Sequence, residues 1–145
     1  LVAAMAVGLA RGCLEDCKSM LEQAGMVIDY DRPAALQPAA VAEYLEMEAD
    51  YEAAFLLMLE ATWMADNRQP NSVNASMAKA KAGRTCTDVA LRCVALAGAL
   101  GYSEETLAEK RARDAKILDI FEGTQQIQLL IIARQLLKKT SAELR

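Results

Sequence analysis

The sequence predicts an all-α fold, a four-helix up-and-down bundle, and three observations carry that expectation. Apolar residues recur at helical spacing over long stretches, no stretch alternates as a half-buried strand would, and the breaks are short and marked by glycine or proline. Long helices joined by short loops pack most simply as antiparallel neighbours. With 145 residues and 54% hydrophobic content the chain can bury one continuous core, so residues 1–145 read as a single domain.

The first helix runs from residue 1 to about 24, with Val2, Met5, Leu9, Cys13, Met20 and Leu21 on an inward stripe and Gly25 as its stop. Residues 26–38 contain Arg32-Pro33 and Gln37-Pro38, which prevent a continuous helix and read as an ordered loop. A second helix spans residues 39 to about 67, its inward face drawn from Val41, Tyr44, Tyr51, Phe55, Met58, Leu59 and Trp63. Arg68 to Ser72 breaks the pattern, and a third helix follows from about 73 to 100.

That third helix is rich in alanine and glycine, from Ala75 and Ala78 to Gly98 and Ala99. Small side chains allow close approach, either of another helix of the bundle or of a flat ligand. Gly101-Tyr102-Ser103 turns the chain, residues 104–112 read as a short charged helix, and residues 114–121 lead to a connector around Glu122. The last helix spans 125 to about 139, and the tail from Thr140 to Arg145 is expected to fray.

Composition excludes several classes. Sixteen basic against twenty acidic residues, a net charge of −4, argue against a nucleic-acid partner, which requires a basic face. No apolar run reaches the roughly 20 residues needed to span a bilayer. Arg11, Glu15, Asp16 and Lys18 continue the helical pattern of the apolar first ten residues, so a signal peptide is not expected. The chain has no histidine, and Cys13, Cys17, Cys86 and Cys93 lack a compact zinc spacing. They read as packing residues of a reduced, cytoplasmic protein, with no metal site. The start at Leu1, already inside a helical pattern, reads as a piece of a longer protein.

The most informative stretch is Arg113-Asp114-Ala115-Lys116-Ile117-Leu118-Asp119-Ile120-Phe121-Glu122-Gly123-Thr124-Gln125-Gln126-Ile127-Gln128. Glycine can end one helix and let a ligand approach the backbone closely, and Thr124 can cap the next helix. Glu122 then sits on a short connector beside Ile120 and Phe121. Apolar surroundings disfavour a charged carboxylate and move its pKa towards the range useful in proton transfer. The residues alone leave two readings open, an acid at an ordinary helix junction and a general base.

Arg113-Asp114-Ala115-Lys116 followed by Ile120-Phe121-Glu122-Gly123-Thr124, Ile127-Gln128 and Ile132-Ala133-Arg134 resembles the C-terminal signature of the acyl-CoA dehydrogenases, and the resemblance spans essentially the whole chain. It implies the C-terminal helical domain of a longer, FAD-dependent enzyme that oxidises an acyl-CoA thioester to the 2-enoyl-CoA. By this resemblance Glu122 removes the α-proton while hydride leaves to the flavin, Gly123 lies against the thioester end of the substrate, and Thr124, Gln125 and Gln126 contact the FAD. The isolated domain is expected to be inactive. An electron-transfer flavoprotein or similar acceptor and a homo- or hetero-oligomer, most simply a tetramer, complete the implied partners.

Members of the family also bind a neighbouring subunit's FAD through this domain. Arg32 matches the arginine on the nucleotide phosphates, although the residue by itself also fits a solvated loop position or an ion pair with Asp29 or Asp31. The family's following threonine, phenylalanine and glycine are here Ala34, Ala35 and Leu36, and an expected glutamine is Glu43. Of a Gln-x-x-Gly-Gly-x-Gly stretch only Gly98 and Gly101 remain, and a carboxylate at Glu43 would repel a nearby pyrophosphate. The pattern implies a subunit that keeps the base but has a depleted site for its neighbour's flavin. A heteromeric enzyme would fit, and so would a non-catalytic partner subunit or assembly module. A relative acting on nitro compounds or acyl carriers is a weaker alternative, since Glu122 suits α-proton removal.

Overall fold

The structure, a computed structural model, describes residues 1–140 and 143. Five α-helices form among the described residues: α1 (Val2–Gln23), α2 (Ala39–Asp66), α3 (Ser72–Ala97), α4 (Ala108–Ile120) and α5 (Gln125–Leu137). Short 3-10 turns at Ala34–Leu36 and Leu100–Tyr102 lie in the connections, and no strand occurs among the described residues. The all-α up-and-down bundle is as expected, but its fourth member is broken in two.

Side-chain contacts fix the directions. Cys93 Sγ lies 3.4 Å from the Cys13 carbonyl, while Val2 and Ala3 at the start of α1 border the same cleft as Ala75 and Ser76 at the start of α3, so these helices run parallel. Lys81 pairs with Asp50 at 2.6 Å and Asn71 Nδ2 donates to the Ala61 carbonyl at 3.0 Å, setting α2 antiparallel to α3. Thr87 Oγ1 faces the Ala115 carbonyl at 3.5 Å and Gln135 Nε2 donates to Ser72 Oγ at 3.1 Å. Thus α4 and then α5 descend along α3, which every other helix touches.

The alanines and glycines of α3 are explained by this central place. Ala78, Ala80, Ala82, Gly83 and Ala90 are buried in the bundle, so the helix-packing reading holds. At Gly83 the approach is closest: a Cβ there would lie 3.2 Å from the Asp119 Cα and from the Leu118 carbonyl oxygen. The end of α4, immediately before Glu122, is therefore pressed onto α3 backbone. The rest of the core joins Val7, Ala10, Cys13 and Leu14 of α1 to Met47 and Tyr51 of α2 and Cys86 and Val89 of α3.

Three expectations need correction. The short charged helix at 104–112 and the separate lead at 114–121 are one helix, α4. Glu109–Arg113 at 2.9 Å and the Lys110–Asp114 pair carry the helix through the supposed break at one-turn spacing. Thr106 Oγ1 accepts from the Ala108 N–H at 3.3 Å and marks its start. The third helix ends at Ala97 rather than 100, because Gly98 turns to φ 60°. Met5, Leu59 and Trp63 are exposed at 47%, 43% and 57%, whereas the smaller Ala6, Ala54 and Ala61 face inward.

The loop between α1 and α2 is ordered, as expected. Gln37 Nε2 donates to the Asp29 and Arg32 carbonyls, each at 2.8 Å, and its Oε1 accepts from the Asp29 N–H at 3.1 Å. The expected fraying of the tail falls largely on residues outside the described ones; Thr140 itself donates to Glu143 Oε2 at 2.7 Å.

Candidate functional site

The connector between α4 and α5 is built from the backbone outward. Phe121 ends α4 and packs against the core. Glu122 then adopts φ 54° and Gly123 φ 98°. Two successive left-handed residues break the helix without reversing it, since α5 continues down α3 in the direction of α4. The second is a glycine, for which that region is unstrained, but the first is a glutamate, for which it costs on the order of 1 kcal/mol. Thr124 accepts from the Ile127 N–H at 3.4 Å and caps α5 as expected.

Two side chains hold this break. Lys79 of α3 is buried and donates to the Gly123 carbonyl at 2.6 Å and the Asp119 carbonyl at 3.1 Å. Burial holds its ammonium below the usual lysine range, and the nearby Asp119 carboxylate works in the opposite direction. Gln128, also buried, donates to the Glu122 carbonyl at 3.3 Å. The Glu122 side chain is bound by neither. It is exposed, at the edge of an open cleft of about 480 Å³ bordered by Leu1, Val2, Met5, Lys79 and Phe121. Of the two apolar neighbours, Phe121 turns inward and Ile120 is 45% exposed, so apolar surface flanks the glutamate on one side within this chain.

Asp119 lies beneath the connector. It is buried and pairs with Lys116 at 2.9 Å; with the Gln125 amide assigned the orientation its neighbours demand, that amide donates to Asp119 Oδ1 at 2.9 Å and to the Ala80 carbonyl at 3.0 Å. The Gln125 side chain is thus engaged inside the bundle, while Gln126 is exposed.

The remaining candidates gather at one end of the bundle, away from the connector. Arg32 is exposed and forms no ion pair with Asp29 or Asp31 among the described residues. Gly98 is exposed with open space over its Cα. Glu43 is paired with Arg92, which also reaches Glu46 at 3.0 Å. The hydrogen bond from Arg92 holds the Glu43 carboxyl below the usual range. Its charge is therefore balanced locally, which weakens the repulsion expected from the sequence.

The family model described as the acyl-CoA dehydrogenase C-terminal domain matches residues 1–137. The chain belongs to the acyl-CoA dehydrogenase family. It is similar to a probable acyl-CoA dehydrogenase of Bacillus subtilis, 34% identical over 94% of this chain and 35% of the relative. A subunit of the caffeyl-CoA reductase–Etf complex of Acetobacterium woodii is 32% identical over 95% of this chain and 36% of its own length. The structure of butyryl-CoA dehydrogenase from Megasphaera elsdenii superposes with a TM-score of 0.83 at 32% identity, covering 94% of this chain and 35% of that one. The chain spans about a third of the length of these relatives.

Within this acyl-CoA dehydrogenase domain, the structure brings Glu122, Gly123, Thr124, Gln125 and Gln126 together on one connector and sets Arg32 and Gly98 apart from them. Sequence reasoning missed Lys79 and Gln128. The signal for Lys79 was its spacing from Ser76, Gly83 and Cys86, which places a lysine on the inward face of α3.

No helix among the described residues is long and apolar enough to cross a membrane, and none of their His, Cys, Asp and Glu side chains cluster as metal ligands. All four cysteines are buried and free.

Proposed function

We propose that the chain is the C-terminal domain of an FAD-dependent acyl-CoA dehydrogenase, with Glu122 as the base that removes the acyl α-proton. One observation carries this reading. Glu122 holds a left-handed backbone, locked by side chains that bind only the carbonyls around it, while its carboxylate is left free at a cleft. A strained residue held in place by its surroundings, with its reactive group unengaged, is how a functional carboxylate is presented. An ordinary junction acid needs neither the strain nor the clamp.

The α-proton of a thioester is weakly acidic, so its removal needs a base held within reach and oriented along the breaking C–H bond. The connector supplies the orientation. Phe121 anchors one side in the core, and the family resemblance sets the thioester end of the substrate against Gly123. The rest of the enzyme would close the cleft and exclude water. Bound FAD supplies the acceptor for the departing hydride.

The residues present fit a flavin nucleotide in two places. Thr124 and Gln126 are at the start of α5, next to the base, while the Gln125 amide is engaged within the bundle. At the far end, the exposed Arg32 guanidinium suits a phosphate and the open face of Gly98 admits a flat group. Exposed Leu56, Leu59 and Trp63 on α2 and Leu129, Leu136 and Leu137 on α5 supply apolar surface for the remainder of the enzyme or for other subunits, in keeping with an oligomer. The Etf complex of the Acetobacterium relative supports an electron-transferring flavoprotein as the acceptor.

A heteromeric enzyme is the second reading, favoured by the α1–α2 loop. Beyond Arg32 it offers only the apolar side chains of Ala34, Ala35 and Leu36, Leu36 being 62% exposed. Unlike subunits sharing fewer flavins than chains would explain the loss. Flavin stoichiometry of the purified full-length protein separates the readings: one FAD per chain in a homotetramer rules out the heteromer. For the principal reading, Glu122→Gln in the full-length enzyme is expected to abolish nearly all turnover and leave FAD bound. Undiminished turnover would place the base elsewhere.

A further inference from the structure

We infer that Lys79 is a positioning residue for the reaction: it clamps the backbone on both sides of Glu122 and so fixes where the carboxylate points. The inference rests on the reading of Glu122 as the base. Its two acceptors straddle that residue, the Asp119 carbonyl three positions before it and the Gly123 carbonyl immediately after it. The first belongs to the end of α4, where carbonyls lose their helical partners, and the second lies in a turn. One ammonium therefore satisfies two carbonyls that the helix break would otherwise leave short of donors.

Three features make this a clamp rather than an incidental contact. Lys79 is only 7% exposed, and burying an ammonium is costly unless specific partners receive it. The Asp119 carboxylate is engaged by Lys116, and the Lys79 ammonium bonds the Asp119 and Gly123 carbonyls, so Lys79 is directed at the backbone. And Lys79 projects from α3 only one turn before Gly83, where the α4 backbone lies against α3, so the clamp stands beside a close backbone contact. Gln128 grips the Glu122 carbonyl from the α5 side, which leaves the left-handed turn held from two directions.

The test uses the full-length, FAD-loaded enzyme with Lys79→Met, which keeps the apolar stem, and Lys79→Gln, which keeps a donor. Displacing the base by about 1 Å is enough to lose up to about 10²-fold in rate. Lys79→Met is expected to lower kcat by about 10- to 100-fold with KM within about threefold, and Lys79→Gln to recover part of the loss. Amide hydrogen exchange is expected to quicken at residues 121–125 and stay unchanged in α1, α2 and the rest of α3. Wild-type kcat in Lys79→Met, or equal losses in both variants with faster exchange throughout the bundle, would overturn the inference. If Lys79→Met yields no folded holoenzyme, Lys79→Gln carries the same comparison against wild type. Glu122→Gln run alongside separates the two claims. Full turnover there refutes the base, while exchange at 121–125 still decides whether Lys79 holds the connector.

Discussion

Gln128 closes directly over Gly123. Its Nε2 donates to the Glu122 carbonyl at 3.3 Å and would lie 2.5 Å from a Cβ placed on Gly123. The glycine is therefore required twice, by its φ of 98° and by the amide packed against it. Gly123→Ala is expected to destabilise the fold by about 1–2 kcal/mol, from backbone strain and the displaced Gln128. Chemical denaturation measures the loss, and hydrogen exchange should locate it at the connector.

Glu122 pays for its own position. Replacing it with glycine removes the left-handed strain, about 1–2 kcal/mol, against roughly 0.5–1 kcal/mol of added unfolded-state entropy. Glu122→Gly is thus expected to be neutral or slightly stabilising. Glu52→Gly, at an exposed position within α2, should instead cost about 1 kcal/mol. Denaturation midpoints of the two variants decide the matter.

The Glu43–Arg92 pair gives a pH signature. Arg92 lowers the folded-state pKa of Glu43 below its ordinary 4.5, so the pair contributes stability above that pH and loses it as pH falls through the folded value. Both groups are partly solvated, which limits the contribution to about 0.2–1 kcal/mol. Arg92→Ala should therefore differ from wild type near neutral pH and approach it on acidification below 4.5. Stability measured across that interval tests the sign.

The thiols of Cys13 and Cys86 should be inert in the native protein. Burial raises Cys13 to about 11 and Cys86 to about 12. At mildly alkaline pH neither forms appreciable thiolate, so alkylation should be slow until denaturant exposes them. Rapid native labelling at either site, mapped by mass spectrometry, would show that the α1–α3 interface opens readily.

The bundle was legible because long apolar periods and short proline- and glycine-marked breaks leave few alternatives. The break in its fourth member at Glu122 was placed correctly, but the division expected near residue 113 does not occur. Ion pairs one turn apart run across residues 109–114, past the expected end of a short charged helix at 112, and Thr106 starts the helix without a strong apolar signal after it. At the site, Thr124 was readable as a cap because its role is local. Lys79 was not, because its partners lie 40 and 44 residues away and only the fold brings them together. The charge balance at Glu43 was not legible for the same reason: its partner, Arg92, is 49 residues distant.

The central claim, that Glu122 is the base, is tested most directly by anaerobic flavin reduction in the full-length enzyme. Wild type and Glu122→Gln, both loaded with FAD, are mixed with a panel of saturated acyl-CoA thioesters, and flavin absorbance is followed in a stopped-flow instrument. With Glu122 as the base, wild type bleaches with at least one thioester, while Glu122→Gln binds the same thioester and bleaches at least about 10²-fold more slowly. Bleaching of the variant at the wild-type rate would contradict it.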